Sequence, residues 1–179
     1  MRIELVRESS VDASLDVVIR QLQQRSFPGT AQFRDSRHYI HQPRPGDERV
    51  LAWDGQALVG GVMIYWANAS AGGWQGRLAC VGNVCSDPDR RGQGIASACM
   101  ERTMQAARDA EAAGALLFCQ AKLEPFYTRF GFVRIHNPIF LHRPDGAQFE
   151  RDNHDTRMAA VVRGAAWPNG AITLDIDDF

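Results

Sequence analysis

One stretch constrains this chain more than any other: Leu78 to Ala96, LACVGNVCSDPDRRGQGIA. It opens as an apolar strand, breaks at Pro88, passes through Arg90 and Arg91, and enters a glycine-rich turn. Residues from Ile95 to Glu111 then read as a helix. A strand that feeds such a turn into a helix suits a phosphate group. The first N–H groups of the helix lack carbonyl partners, the helix dipole is positive there, and glycine lets a ligand approach the backbone closely. The spacing is neither the G-x-x-x-x-G-K-[ST] of nucleotide-binding loops nor the dinucleotide G-x-G-x-x-G. It is R-x-x-G-x-A, filled by Arg91, Gly94 and Ala96, with Gly92 and Gln93 inside it.

The rest of the chain arranges itself around that stretch. Arg2 to Arg7 alternates polar and apolar residues as an amphipathic strand does. From Val11, the spacing of Leu15, Val18, Ile19 and Leu22 predicts a helix that ends before Pro28. Ser26 to Asp47 is polar and proline-bearing, a short helix or loop. Val50 to Trp53 and Ala57 to Trp66 read as strands joined by a turn at Asp54-Gly55, with Asn68 to Gly76 a glycine-rich connection to the central strand, Leu78 to Ser86. Gly114 is expected to close the long helix and Ala115 to Gln120 to form a buried strand. A crossover of this kind makes the two strands parallel and sets the phosphate site at the end of the first. Pro125 suits the first turn of a short aromatic helix, Phe126 to Phe130. Phe132 to Ile135 and Arg157 to Arg163 are expected as the last two strands, a hairpin around Asn137 to Asp155 in which Ile139 to His142 extends the first.

At 179 residues the chain is most simply one domain, residues 1–179, with room for a sizeable core. A net charge of −1 makes no case for nucleic acid or for an anionic membrane surface as a partner. MRIELVRESS lacks the apolar run of a signal peptide and no stretch approaches a membrane span, so a cytoplasmic location is the expectation. Cys80, Cys85, Cys99 and Cys119 show no C-x-x-C spacing and read as buried free thiols of a reducing compartment. His38 and His41 have no evident third ligand, so they read as a surface loop pair and no metal is expected.

The turn resembles the Q/R-x-x-G-x-G/A motif of the GNAT superfamily, the acetyl-CoA-dependent N-acetyltransferases. A second match follows about thirty residues on: Glu124-Pro125-Phe126-Tyr127-Thr128-Arg129-Phe130-Gly131-Phe132 is similar to the family's short helix bearing a catalytic tyrosine and the Gly-Phe that opens the next strand. The resemblance is specific at these two motifs and extends in layout from Arg2 to Arg163. It implies an α/β fold with a central, mixed but mostly antiparallel sheet, splayed in the middle and flanked by helices. It also implies direct acetyl transfer from acetyl-CoA, as co-substrate, to a primary amine in a ternary complex, without a metal. Arg91, Gly92, Gln93, Gly94, Ile95 and Ala96 would then cradle the pyrophosphate. Val84, Cys85 and Ser86 would pair through their backbone with the pantetheine arm, one N–H of the three polarising the thioester carbonyl. Tyr127 would donate a proton to the departing thiolate.

The general base stays open. Many family members place a glutamate on the central strand or the next, where this chain has Asn83 and Gln120. Glu124, Asp87 and a water chain ordered by Asn83 are the alternatives. The acceptor, a small-molecule or peptide amine, is left to Ser26–Asp47 and Asn137–Asp155, with Trp66 and Trp74 as further candidates to line its site. The layout loosely resembles aminoglycoside 2′-N-acetyltransferases. In that case Asp175, Asp177 and Asp178 would hold a polycationic aminoglycoside or polyamine. A longer acyl donor and a non-catalytic acyl-CoA sensor are the rival readings. Small enzymes of this type often pair through their C-terminal strands, so a homodimer is among the expected arrangements.

Overall fold

The computed structural model describes residues 1–38, 44–142, 146–151, 155–164 and 166–179. Among them the strands form a mixed, mostly antiparallel sheet of ten, and three α-helices accompany it. The α/β class implied by the motifs is what the chain adopts. By its internal contacts the chain divides into two compact units, residues 1–65 with 82–103 and residues 66–81 with 104–179.

In the first unit, β1 (Arg2–Arg7) runs antiparallel to β2 (Glu48–Asp54), and β2 antiparallel to the first part of β3 (Ala57–Ala71), with a bulge between Ala52 and Trp53. Helix α1 (Ala13–Ser26) starts where Asp12 accepts a 2.8 Å hydrogen bond from the Leu15 N–H, a cap worth about 1 kcal/mol. Its apolar stripe does what the periodicity requires. Ile19 and Leu22 pack with Leu51, Leu58 and Cys85, and Leu15 and Val18 border the cluster. Each fully buried aliphatic side chain contributes roughly 1.5–3 kcal/mol. Helix α2 (Ile95–Asp109) begins in this unit and comes close to β3 because position 60 is glycine. A Cβ there would lie 2.4 Å from Ile95 Cγ2 and 3.3 Å from Cys99 Sγ.

The second unit takes the far end of β3 and most of β4 (Trp74–Ser86). There β5 (Gly114–Cys119) lies parallel to β4 and antiparallel to β9 (Thr156–Val161), which also pairs with β6 (Val133–Arg134). On the other side, β10 (Ile172–Leu174) lies between β3 and β7 (Ile139–His142), and β7 pairs with β8 (Gln148–Glu150). Leu116, Leu117, Phe132, Ile139, Leu141, Met158 and Ile172 are fully buried. Helix α3 (Glu124–Thr128) is a single short helix.

Several boundaries differ from the sequence reading. Asn68 to Gly76 is no open connection: β3 runs to Ala71 and β4 starts at Trp74, so only Gly72 and Gly73 turn between them. Gly114 does not close α2; Glu111 does, at φ 52°, and Gly114 begins β5. Trp167 lies against Gly114, where a Cβ would meet its ring at 2.7 Å. Ile139 to His142 does not extend β6 but pairs with β8 and β10, and β10 follows the strands expected to be last.

Candidate active site

The register of β4 with β5 runs from Leu78↔Gly114 to Val81↔Leu117 and stops. β4 itself continues to Ser86, and Asn83 bends it through a left-handed conformation, φ 50°. Val84 and Ser86 are half-buried and Cys85 is buried. Burial pushes the Cys85 thiol up to about 12, so it stays protonated and packs as a small apolar group, not as a nucleophile.

After Ser86 the chain is held by side chains from α1. Ser26 Oγ donates to the Ser86 carbonyl at 3.1 Å, and Arg25 grips both carboxylate oxygens of Asp87, at 2.8 and 3.1 Å. The same arginine reaches Asp89 at 2.7 Å. Asp87 also accepts from the Asp89 N–H at 3.0 Å, and its own N–H donates to the Val59 carbonyl at 2.8 Å. Asp87 therefore shapes the turn, which removes it as a general base. Arg90 is paired with Asp54 at the end of β2.

Between these anchors and the helix, Arg91, Gly92, Gln93 and Gly94 are exposed. Gly92 and Gly94 sit at φ 79° and 78°, with no atom within 4 Å of where a Cβ would stand. The Gly94 carbonyl accepts the first helical bond, 2.9 Å from the Ala98 N–H, so Ile95, Ala96 and Ser97 present N–H groups at the helix end. Open backbone, a helix dipole and the Arg91 side chain fit the pyrophosphate of a CoA thioester.

Tyr127 belongs to the second unit. It is 6% exposed, in edge contact with Phe126 and Phe132 at centroid separations of 5.0 and 6.2 Å. Burial, with a smaller effect of Cys119, pushes its hydroxyl well above the ordinary tyrosine value. Such a phenol is fully protonated at neutral pH, the form a proton donor needs. Glu124, at the start of α3, is paired with Arg134 and accepts from Thr156 Oγ1 at 3.0 Å. Those partners hold its carboxyl below the usual carboxylate range, and it ties α3 to its neighbours.

A family model for the acetyltransferase (GNAT) domain matches residues 2–135. The chain belongs to the GNAT acetyltransferase family. Among solved structures, an acyl-CoA N-acyltransferase from Pseudomonas aeruginosa superposes with a TM-score of 0.63 at 19% identity, over 89% of this chain and 99% of its own. YhbS, a GNAT family N-acetyltransferase from Escherichia coli solved with CoA, gives 0.63 at 18% identity, over 98% of this chain and 91% of its own. A GNAT family acetyltransferase from Brucella melitensis solved with acetyl-CoA gives 0.57 at 18%, over 96% and 94%. At such identities the likeness establishes the fold, not the substrate. No curated protein sequence matches.

Other candidate residues of this GNAT acetyltransferase have structural partners that the sequence did not reveal. His38 is not a surface residue: its side chain is 9% exposed, 3.4 Å from Glu8 and 3.5 Å from Arg49. Burial, helped by Arg49, lowers its pKa to about 4, so the ring is neutral. Glu8 is held by Arg37 at 2.5 Å and Arg49 at 2.8 Å, and Arg37 also reaches Asp16 at 2.7 Å. His41 lies outside the described residues. Among those described, no three metal-ligating side chains cluster. Asp175 accepts from the Asn68 backbone and side-chain amides at 2.8 and 2.6 Å, and Asp178 pairs with Arg151 at 2.7 Å. Trp66 is buried under the Arg77 guanidinium, 4.4 Å from its ring, and Trp74 lies over Gly76. Sequence reasoning missed Arg25 as the anchor of the turn. Its only sign was a basic residue in the last turn of α1, and nothing local names a partner 62 residues away.

Proposed function

We propose that this GNAT acetyltransferase moves the acetyl group of acetyl-CoA directly to a primary amine of a small molecule or peptide. Residues 1–179 act as one catalytic domain. The observation that carries the proposal is the turn after β4: two left-handed glycines in open space, a helix N-terminus behind them, and charged anchors just ahead of them. Arg91 to Ala96 hold the pyrophosphate through backbone N–H groups. Val84, Cys85 and Ser86 offer strand backbone to the pantetheine arm where the register of β4 with β5 has ended. Tyr127 keeps its proton until the departing thiolate takes it. Family members solved with CoA and acetyl-CoA support the choice of donor. Cys80, Cys85, Cys99 and Cys119 are all buried thiols outside any disulfide, which supports a cytoplasmic location. Among the described residues no helix is long and apolar enough to cross a membrane.

A polycation clamp in the C-terminal tail draws less support. Asp175 and Asp178 are engaged with Asn68 and Arg151. The deciding experiment is acetyl-CoA turnover against an aminoglycoside, spermidine, free amino acids and N-terminal peptides, read by product mass. An acetylated amine supports the proposal. Tight acetyl-CoA binding with no product on any amine would point instead to a longer acyl donor or a sensor.

A further inference from the structure

The turn proposed to receive a pyrophosphate follows directly on two carboxylates. Asp87 and Asp89 stand four and two positions ahead of Arg91. Two positions span at most about 7 Å of backbone, less than the screening length of about 10 Å at 0.1 M salt. Asp87 is there to shape the turn: it is 7% exposed and its carboxylate accepts the Asp89 N–H at 3.0 Å. A further source of negative potential is the C-terminal end of α1, which reaches the Ser86 carbonyl through Ser26 Oγ. On the positive side, Arg90 is turned to Asp54, which leaves Arg91 and the N-terminus of α2 to attract an anion. Arg25 changes that balance. From the last turn of α1 its guanidinium bridges both carboxylates, at 2.8 and 3.1 Å to Asp87 and 2.7 Å to Asp89.

We propose that Arg25 is a positioning residue for the acyl donor: by masking Asp87 and Asp89 it lets this turn accept a pyrophosphate. The assignment rests on the acetyl-CoA binding proposed above. Arg25 directs its donors to the two aspartates, so it acts through them and not on the ligand. The planar fork suits this task, since it meets both oxygens of Asp87 and still reaches Asp89. Half of the Arg25 side chain and 83% of the Asp89 side chain are exposed, and pairs so exposed contribute little to folding. Their larger consequence is for the field that an incoming diphosphate meets. With Arg90 drawn to Asp54, removal of Arg25 would leave two bare carboxylates against Arg91 alone. Repulsion would then fall on the very group the turn is built to hold.

Calorimetric titration of the whole chain with acetyl-CoA, with no acceptor present, tests the assignment. Relative to wild type, Arg25→Gln should bind about tenfold more weakly at about 0.01 M salt, where screening takes about 30 Å. At about 1 M salt, where screening takes about 3 Å, the two should agree within about twofold. Arg25→Lys keeps the charge and loses the fork, and should stay within about threefold of wild type at low salt. Asp89→Asn changes an exposed side chain and leaves the fold alone. At low salt it should tighten binding about twofold in wild type and about threefold in Arg25→Gln. A loss in Arg25→Gln that is equal at both salts, and that neither Arg25→Lys nor Asp89→Asn relieves, would make Arg25 a structural tie and overturn the assignment. Wild-type affinity in Arg25→Gln at low salt would overturn it too. Either result leaves the acetyl-CoA proposal standing, whereas wild-type protein that binds no acetyl-CoA overturns both.

Discussion

In the turn after β4 the backbone lies open to solvent and charged side chains hold it in place. Gly92 and Gly94 leave the chain open to solvent, while Arg25 on Asp87 and Arg90 on Asp54 fix its position. Helix α3 is made the other way. Tyr127 is buried against aromatic rings, and the carboxylate at the helix's start, Glu124, is bound to Arg134 and Thr156. The proposed function asks the first region to offer donors to a charged, well-hydrated ligand and so stay exposed, and the second to keep a proton on a phenol and so stay dry. The first unit extends its reliance on charge into its interior. The Glu8–Arg49 pair is about 4% and 3% exposed, and Arg37 and His38 close around it.

The largest effect expected from breaking this contrast is at Glu8. Glu8→Leu leaves Arg49 in a nearly dry site without its carboxylate, a loss of about 3–5 kcal/mol by comparison with other broken buried pairs. Urea unfolding at pH 7 measures it, and a loss below about 1 kcal/mol would show that water reaches the pair. Next comes acid. His38 titrates near 6.5 in the unfolded chain and near 4 in the folded one. Between those values the unfolded state takes up a proton that the folded state refuses. Its contribution is thus complete above pH 6.5 and falls away as pH drops toward 4, by about 3 kcal/mol. His38→Gln should flatten that part of the stability curve. An unchanged slope would assign it to other groups.

Both halves of that contrast were legible in the sequence as local motifs, while their anchors were not. R-x-x-G-x-A at Arg91–Ala96 and FYTRFGF at Phe126–Phe132 gave the family, because each uses glycine or aromatic side chains at fixed local spacing. Local periodicity also placed α1 and β1 to within two residues. What stayed hidden depends on residues far apart in the chain. Nothing near Arg25 announces Asp87, and nothing near Glu8 announces Arg49, since a charge carries no mark of its partner. The tail was opaque for a related reason: its aspartates pair across 107 and 27 positions, from Asp175 to Asn68 and from Asp178 to Arg151, with no local sign of either partner. Short strands such as β8 and β10, three residues each, hold too few residues for alternation to be read.

Tyr127→Phe sharpens the contrast on its dry side. Phenylalanine fills the same aromatic site, so the fold and acetyl-CoA affinity should hold. Turnover should drop by roughly 10²-fold or more, about 2.7 kcal/mol of barrier. A drop in kcat with little change in Kd is the signature of a group used only as the leaving thiolate forms. Unchanged kcat would make Tyr127 a packing residue.

Gly94→Ala tests the exposed side and carries the smallest effect. Space is not at issue, because the added methyl would meet nothing within 4 Å. The only penalty is φ 78°, which a Cβ makes unfavourable by about 1 kcal/mol or slightly more. The turn can relieve that by rotating its peptides, and those are the N–H groups proposed to face the pyrophosphate. Acetyl-CoA should therefore bind about tenfold more weakly, equal to about 1.4 kcal/mol, while the melting temperature moves little, since the turn buries nothing. Calorimetric titration with acetyl-CoA separates the outcomes. Undiminished affinity would mean that the ligand is held by side chains such as Arg91, and that the glycines serve only to bring the chain into α2.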